Sequence, residues 1–151
     1  MDQMPSVPVQ RSADSAVTVR LDLWSVVCPG FKVHAPACLK YDTTDPYAVR
    51  MDNYVDRDET VTWLFARELL ATGLSERAGT GDVSVFPGAG DARTVFILLR
   101  GEEREALLQA EEEDIRTFVR RTECLVPLGS ESDHLDLDAL LLRLLESPSG
   151  R

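Results

Sequence analysis

The chain has little of what membrane, secreted and metal-binding proteins are built from. Nowhere do its 151 residues approach the roughly 20 consecutive apolar positions that a membrane-spanning helix requires. Its first segment, Met1 to Ala16, carries prolines and scattered charges where a secretion signal would have an apolar stretch. Cysteine is scarce: Cys28, Cys38 and Cys124 form an odd set without close pairing. That argues against a disulfide framework and for a reduced, cytoplasmic setting. Positive charge is also short, with 16 Lys and Arg against 26 Asp and Glu and a formal net charge of −10. Nonspecific nucleic-acid binding requires Lys and Arg to neutralise several phosphates, and docking on an anionic membrane draws on the same side chains. Neither partner is expected, and a basic protein face suits this chain better.

What is present describes one globular domain. Hydrophobic residues make up 44% and charged residues 28%, and a chain of this length buries about two-thirds of its unfolded surface. Residues 1–15, rich in Pro and small polar side chains, are expected to be a flexible extension. Residues 16–146 form the domain, and residues 147–151 fray. Val17, Val19, Leu21 and Leu23 alternate with Thr18, Arg20 and Asp22, the period-2 pattern of a half-buried strand that ends at Cys28-Pro29-Gly30. Residues 31–40 alternate weakly around Pro36 and read as an ordered loop or edge strand. Tyr47, Val49 and Met51 mark a second strand, and Val61, Trp63 and Phe65 the buried row of a third, joined as a hairpin.

The pattern then switches to good helix formers over residues 66–71, stopped by Gly73. Val83 to Phe86 and Thr94 to Arg100 predict a second hairpin, its apolar second strand covered on both faces. Residues 102–121 predict the longest helix, with Leu108, Ile115 and Val119 at helical spacing and Glu102, Glu103 and Glu105 at its positive end. In that reading the run Glu111, Glu112, Glu113, Asp114 is a kink or a fully solvated face. Asp136 caps a last helix with Leu137, Leu140, Leu141, Leu144 and Leu145 on one packed stripe. The class is α+β, with antiparallel sheets and packed helices.

A search for reactive constellations returns little. Gly79-x-Gly81 precedes a strand, whereas a phosphate cradle must open a helix, so these glycines serve a hairpin approach. His34 and His134 are the only imidazoles, and His134 reads as a surface or capping residue. The spacing Cys28-x5-His34-x3-Cys38 brings zinc to mind but lacks paired C-x2-C knuckles, and three free thiols are the simpler reading. The many carboxylates lie in exposed runs. No catalytic residue, cofactor or metal is therefore assigned, and the chain reads as a binding or structural module. Apolar side chains on the wrong face can mark partner surfaces, although a lone one is more often covered by another element of the same chain. On that ground Trp24 and Leu142, together with the acidic edge Glu111, Glu112, Glu113 and Asp114, are the candidate partner-binding residues.

Three strings are more specific than any periodicity. Leu39-Lys40-Tyr41-Asp42-Thr43-Thr44-Asp45-Pro46-Tyr47-Ala48-Val49 resembles a signature of the SsgA-like proteins of sporulating actinobacteria. So do Trp63-Leu64-Phe65-Ala66-Arg67-Glu68-Leu69-Leu70-Ala71-Thr72-Gly73-Leu74, followed by Gly79-Thr80-Gly81-Asp82-Val83, and Phe118-Val119-Arg120-Arg121-Thr122 with Val126-Pro127-Leu128-Gly129-Ser130-Glu131. The matches span about residues 17–145 in the family's order.

The resemblance implies a non-enzymatic adaptor for sporulation-specific division, acting in the cytoplasm at the septum. Its partners would be further SsgA-like proteins and the division GTPase FtsZ or septal and wall-synthesis proteins. It also implies a Whirly-like fold assembled as a homotrimer. Tyr47, Trp63 and Leu69 are expected to be buried structural residues. The Whirly likeness raises one alternative, a single-stranded nucleic-acid-binding protein, which would need Arg50, Arg57, Arg67 and Arg93 to gather on one surface.

Overall fold

The computed structural model of the chain describes residues 15–90, 92–102, 104–135 and 145. The N-terminal extension and nearly all of the last expected helix lie outside those residues, and Leu142 with them. Among the described residues one curved antiparallel sheet holds the strands in the order β4-β3-β2-β1-β7-β6-β5. The first four strands, β1 (Ala16–Cys28), β2 (Phe31–Asp42), β3 (Ala48–Asp56) and β4 (Glu59–Ala66), form a meander that runs into helix α1 (Arg67–Gly73). A second meander, β5 (Val83–Pro87), β6 (Thr94–Arg100) and β7 (Glu105–Glu111), runs into helix α2 (Glu112–Leu125). A short 3-10 turn, Glu131–His134, follows. The meanders join where β1 meets β7, with Trp24 opposite Gln109 and Ser25 opposite Leu108.

Both helices lie on one face. Val17, Leu21, Leu23, Leu39, Val49, Met51, Val85, Val95, Ile97 and Leu108 point there and are buried. Helix α2 covers them with Ile115, Phe118, Val119 and Thr122, the i, i+3, i+4, i+7 stripe of an amphipathic helix. Each fully buried aliphatic or aromatic side chain in this layer contributes ~1.5–3 kcal/mol. Residue 73 must be glycine because a Cβ there would stand 2.3 Å from Val85 Cγ1, so α1 ends pressed directly on β5.

Several expectations need correcting. Of the two readings of residues 31–40, ordered loop or edge strand, strand holds: they belong to β2, a twelve-residue strand paired with β1 along its whole length and with β3 only at residues 37–40. Pro36 misleads because β3 pairs with β2 only at residues 37–40, so the proline, which has no N–H to donate, falls just past the end of that ladder. Residues 105–111 are strand, although Glu, Ala, Leu and Gln favour helix; pairing with β6 along all seven residues overrides propensity. The period of two was there in Ala106, Leu108 and Ala110. Helix therefore starts at Glu112, and Glu111–Asp114 is not a fully solvated face but the strand-to-helix junction, with Glu111 and Glu113 exposed and Glu112 and Asp114 half-buried. Glu112, Glu113 and Asp114 fill the positive first turn. In β4 the supposed buried row holds only at Phe65; Val61 is exposed and Trp63 half-buried. Leu145, expected on a packed stripe, is 79% exposed.

Candidate functional site

The three signature strings converge on one side chain. Arg67, the first residue of α1, is fully buried. Its backbone N–H donates to the Tyr47 carbonyl at 2.7 Å. Nη1 donates to the Val126 carbonyl at 2.6 Å and to the Thr122 carbonyl at 3.3 Å. Nη2 donates to Glu131 Oε2 at 2.6 Å, while Glu131 Oε1 accepts from the Gly129 N–H at 3.0 Å. The guanidinium carbon sits 4.9 Å from the centre of the Tyr41 ring, whose hydroxyl donates to the Pro46 carbonyl at 2.9 Å. Strand β2, the end of α2 and the segment after it are thus pinned to one planar cation at the start of α1, and the turn ahead of β3 is held by the backbone N–H of the same residue. Arg suits this task because it offers several donors in a fixed fork and one flat face to an aromatic ring.

Beside this hub lies a groove of about 350 Å³, lined by Tyr47, Glu68, Ala71, Thr72, Leu128 and Glu131. Tyr47 is 48% and Leu128 39% exposed. The expectation of Tyr47 as a buried structural residue therefore fails, because it sits just ahead of β3 with its ring turned out to the groove. Trp63 and Leu69 are half-buried against the core.

The shifted titrations here do not suit acid-base chemistry. Arg67 and local hydrogen bonds hold the Glu131 carboxyl below its ordinary value, against the effect of burial. Burial pushes the Tyr41 hydroxyl up, opposed by Arg67. On the other sheet face Asp52 accepts from Thr62 and pairs with Arg50 and Lys40, which bring it down to about 2. All three move away from neutrality, whereas a general acid or base working near pH 7 must move toward it. Among the described residues no group of three His, Cys, Asp or Glu is placed to hold a metal ion. His34 and Cys38 are four residues apart on an extended strand, about 13 Å, too far for one zinc ion to join.

The proposed partner residues fall in different places. Trp24 is 40% exposed on the face away from the helices, its ring 5.1 Å from that of His34 and 5.8 Å from Lys32 Nζ. Glu111 shares that face two residues beyond Gln109, the residue paired with Trp24. Glu112 pairs with Arg116 and Glu113 with Arg120 along α2, and Asp114 is half-buried in the same turn. The acidic run therefore crosses from sheet to helix rather than forming one patch with Trp24. Sequence reasoning missed Arg67 as a hub and Leu128 as an exposed lining residue. Their presence in two different signature strings was the available signal.

Residues 35–131 match the family model described as Streptomyces sporulation and cell division protein, SsgA. The chain belongs to the SsgA family. It is 43% identical over 133 residues to the sporulation-specific cell division protein SsgB of Streptomyces coelicolor, covering 87% of this chain and 97% of that protein. It is also 43% identical to SsgB of Kineococcus radiotolerans, over 94% of this chain and 86% of the relative. Two solved structures superpose with TM-scores of 0.76. One, 43% identical, comes from work on SsgB mutations that correlate with longitudinal cell division during sporulation of Streptomyces coelicolor, and the match covers 80% of this chain and 96% of that one. The second, 38% identical, is an SsgA-like sporulation-specific cell division protein from Thermobifida fusca, with 85% and 95% covered. These relatives are named for a role in cell division, and none of the names denotes an enzyme class. Among the described residues no helix is long and apolar enough to cross a membrane.

Proposed function

We propose that this chain is a non-enzymatic adaptor in sporulation-specific cell division, acting through protein–protein contacts at the septum. The observation that carries the reading is the groove at the meeting point of the signature strings. Its Glu131 is spent on holding the fold, and what it turns to solvent includes Tyr47 and Leu128, side chains suited to recognition. In this reading the working unit is a homotrimer of Whirly-like subunits, presenting three copies of one weak face and so raising effective concentration at the division plane. Its partners are further SsgA-like proteins and FtsZ or septal wall-synthesis proteins. Trp24, Glu111, Glu112, Glu113, Asp114 and Leu142 remain proposed contacts. Single-stranded nucleic-acid binding is the weaker alternative: of the four arginines it needs, Arg67 is buried against Glu131 and Arg50 is paired with Asp52.

The test is complementation in a sporulating actinomycete lacking its own copy of the gene, with two-hybrid pairing against FtsZ and other family members. Tyr47→Ala and Leu128→Glu are expected to fold and accumulate normally, fail to restore septation and lose a pairing that the unaltered chain makes. Normal septation by both variants would remove the groove from the function.

A further inference from the structure

The distal half of the β1–β2 hairpin stands clear of the rest of the sheet. Beyond residue 37 strand β2 has no β3 partner, and β1 pairs with β7 only at Trp24 and Ser25. The result is a two-stranded arm, turned at Gly30 with φ +82°, whose β2 side is, among the described residues, an open strand edge over residues 31–36. Native sheets usually cover, charge or shorten such an edge. This one carries apolar side chains in the open: Val27 is 60%, Phe31 55% and Val33 47% exposed.

The arm also departs from the charge of the whole chain. From Leu23 to Tyr41 there is no Asp or Glu, in a sequence with 26 of them. The only two lysines, Lys32 and Lys40, both lie on β2, and His34 lies between them. Alternation sorts the arm by face. Trp24, Lys32 and His34 share the face away from the helices, where the cation and the imidazole flank the indole and His34 bonds Asp22 at 2.9 Å. Phe31 and Val33 share the other. A strand added to this edge would meet one basic-aromatic face and one apolar face.

We propose that the β2 edge of this arm captures an extended partner segment in which carboxylates alternate with branched or aromatic apolar residues. Carboxylates on such a segment fall beside Lys32 and His34, apolar residues fall beside Phe31 and Val33, and its backbone extends the ladder that β3 leaves unfinished. Strand addition of this kind takes affinity from the main chain and specificity from alternate side chains. The proposal goes beyond the adaptor reading and uses a different surface, sharing no residue with the Tyr47 and Leu128 groove.

The test is fluorescence anisotropy of a labelled short peptide of strictly alternating Glu and Val, titrated with the full-length protein. A Lys-Val peptide and one with its Glu and Val residues in separate blocks serve as controls. Saturable binding of the alternating acidic peptide alone is expected, weakening with added salt and slowing hydrogen exchange at residues 31–36. Lys32→Glu and Phe31→Ser should each weaken it about tenfold with unchanged melting temperature, the scale of one lost or reversed close contact. Leu64→Ser, at a side chain 69% exposed on β4, should not. Equal binding of the Lys-Val peptide, or exchange protection away from the arm, would overturn the proposal. So would dissociation of the protein's own assembly by Phe31→Ser, because the arm's occupant would then be a second copy. Failure of peptide binding leaves the septation test of Tyr47 and Leu128 standing.

Discussion

Replacing Arg67 by Met keeps most of the side-chain length and removes both the charge and the fork of donors. The Val126 carbonyl loses its donor, the Thr122 carbonyl keeps only the Val126 N–H, and the Glu131 carboxylate, whose side chain is 12% exposed, loses its cation. Breaking a buried pair by removing one partner typically destabilises by about 3–5 kcal/mol. A domain of this size melts about 2–4 °C lower for each kcal/mol lost, so Arg67→Met should melt on the order of 10 °C lower at neutral pH. Arg67→Lys keeps the charge but cannot reach carbonyls and carboxylate together, and should recover only part of the loss. The sign with pH follows from Glu131. Its pKa is depressed in the folded state, so its stabilising pairing is complete above the unfolded carboxylate value of about 4.3 and is lost as pH falls through the lower folded value. The gap between the parent protein and Arg67→Met should therefore narrow in acid. Thermal denaturation followed by circular dichroism at pH 7 and in acid reads both effects, and a cycle with Glu131→Gln reads the coupling. A melting shift under about 3 °C, or strictly additive losses in the cycle, would refute the idea that Arg67 holds these elements together.

Other perturbations follow from the same geometry. Gly73→Ala places a methyl 2.3 Å from Cγ1 of fully buried Val85 and should lose about 1–3 kcal/mol, read as a lower urea midpoint at constant slope; an unchanged midpoint would mean that α1 shifts freely on β5. Asp52→Asn removes a carboxylate held at about 2 by Thr62, Arg50 and Lys40, and because Arg50 and Lys40 are half exposed the loss should be about 1–2 kcal/mol at pH 7. That loss should shrink as pH falls from about 4 to about 2, where the parent carboxylate is protonated too, and a pH-independent difference would point to shape rather than charge. Cys28 and Cys124 are exposed and Cys38 is buried, so a thiol reagent should titrate two cysteines in the native protein and the third only after unfolding.

The sequence was most legible where one face is buried and the other wet. The alternation of β1, the β3–β4 and β5–β6 hairpins and the helix stop at Gly73 all follow from side-chain period and turn chemistry. Reading failed where a local signal opposed a long-range one. Residues 105–111 favour helix locally and become strand because β6 lies alongside. Residues 31–36 look irregular because of Pro36 and become strand because β1 pairs with every one of them. The hub could not be read either. A lone Arg among helix formers is usually a solvated residue, and its partners Thr122, Val126 and Glu131 lie 55–64 positions away. The exposure of Tyr47 was hidden for the same reason: alternation assigns a face, while the groove depends on where the chain returns after α2.

The division between hub and arm bears on how one family can serve different steps of division. The strings that carry the resemblance meet at Arg67, so much of what makes the chain recognisable reports how β2, β3, α1 and the segment after α2 are tied together. A tie of that kind constrains every member built on it, whatever partner it takes. The family match begins at residue 35, and Trp24, Val27, Phe31, Lys32 and Val33 all precede it. An exposed arm can change its charge and apolar pattern without disturbing the core, since surface substitutions away from caps and buried networks usually change stability by no more than about 0.5 kcal/mol. Exchanging residues 24–34 between this chain and a relative should therefore move partner preference with the arm and leave the melting temperature nearly unchanged. If preference stays with the body instead, recognition lies in the groove beside Tyr47 and Leu128, and the arm has no part in choosing partners.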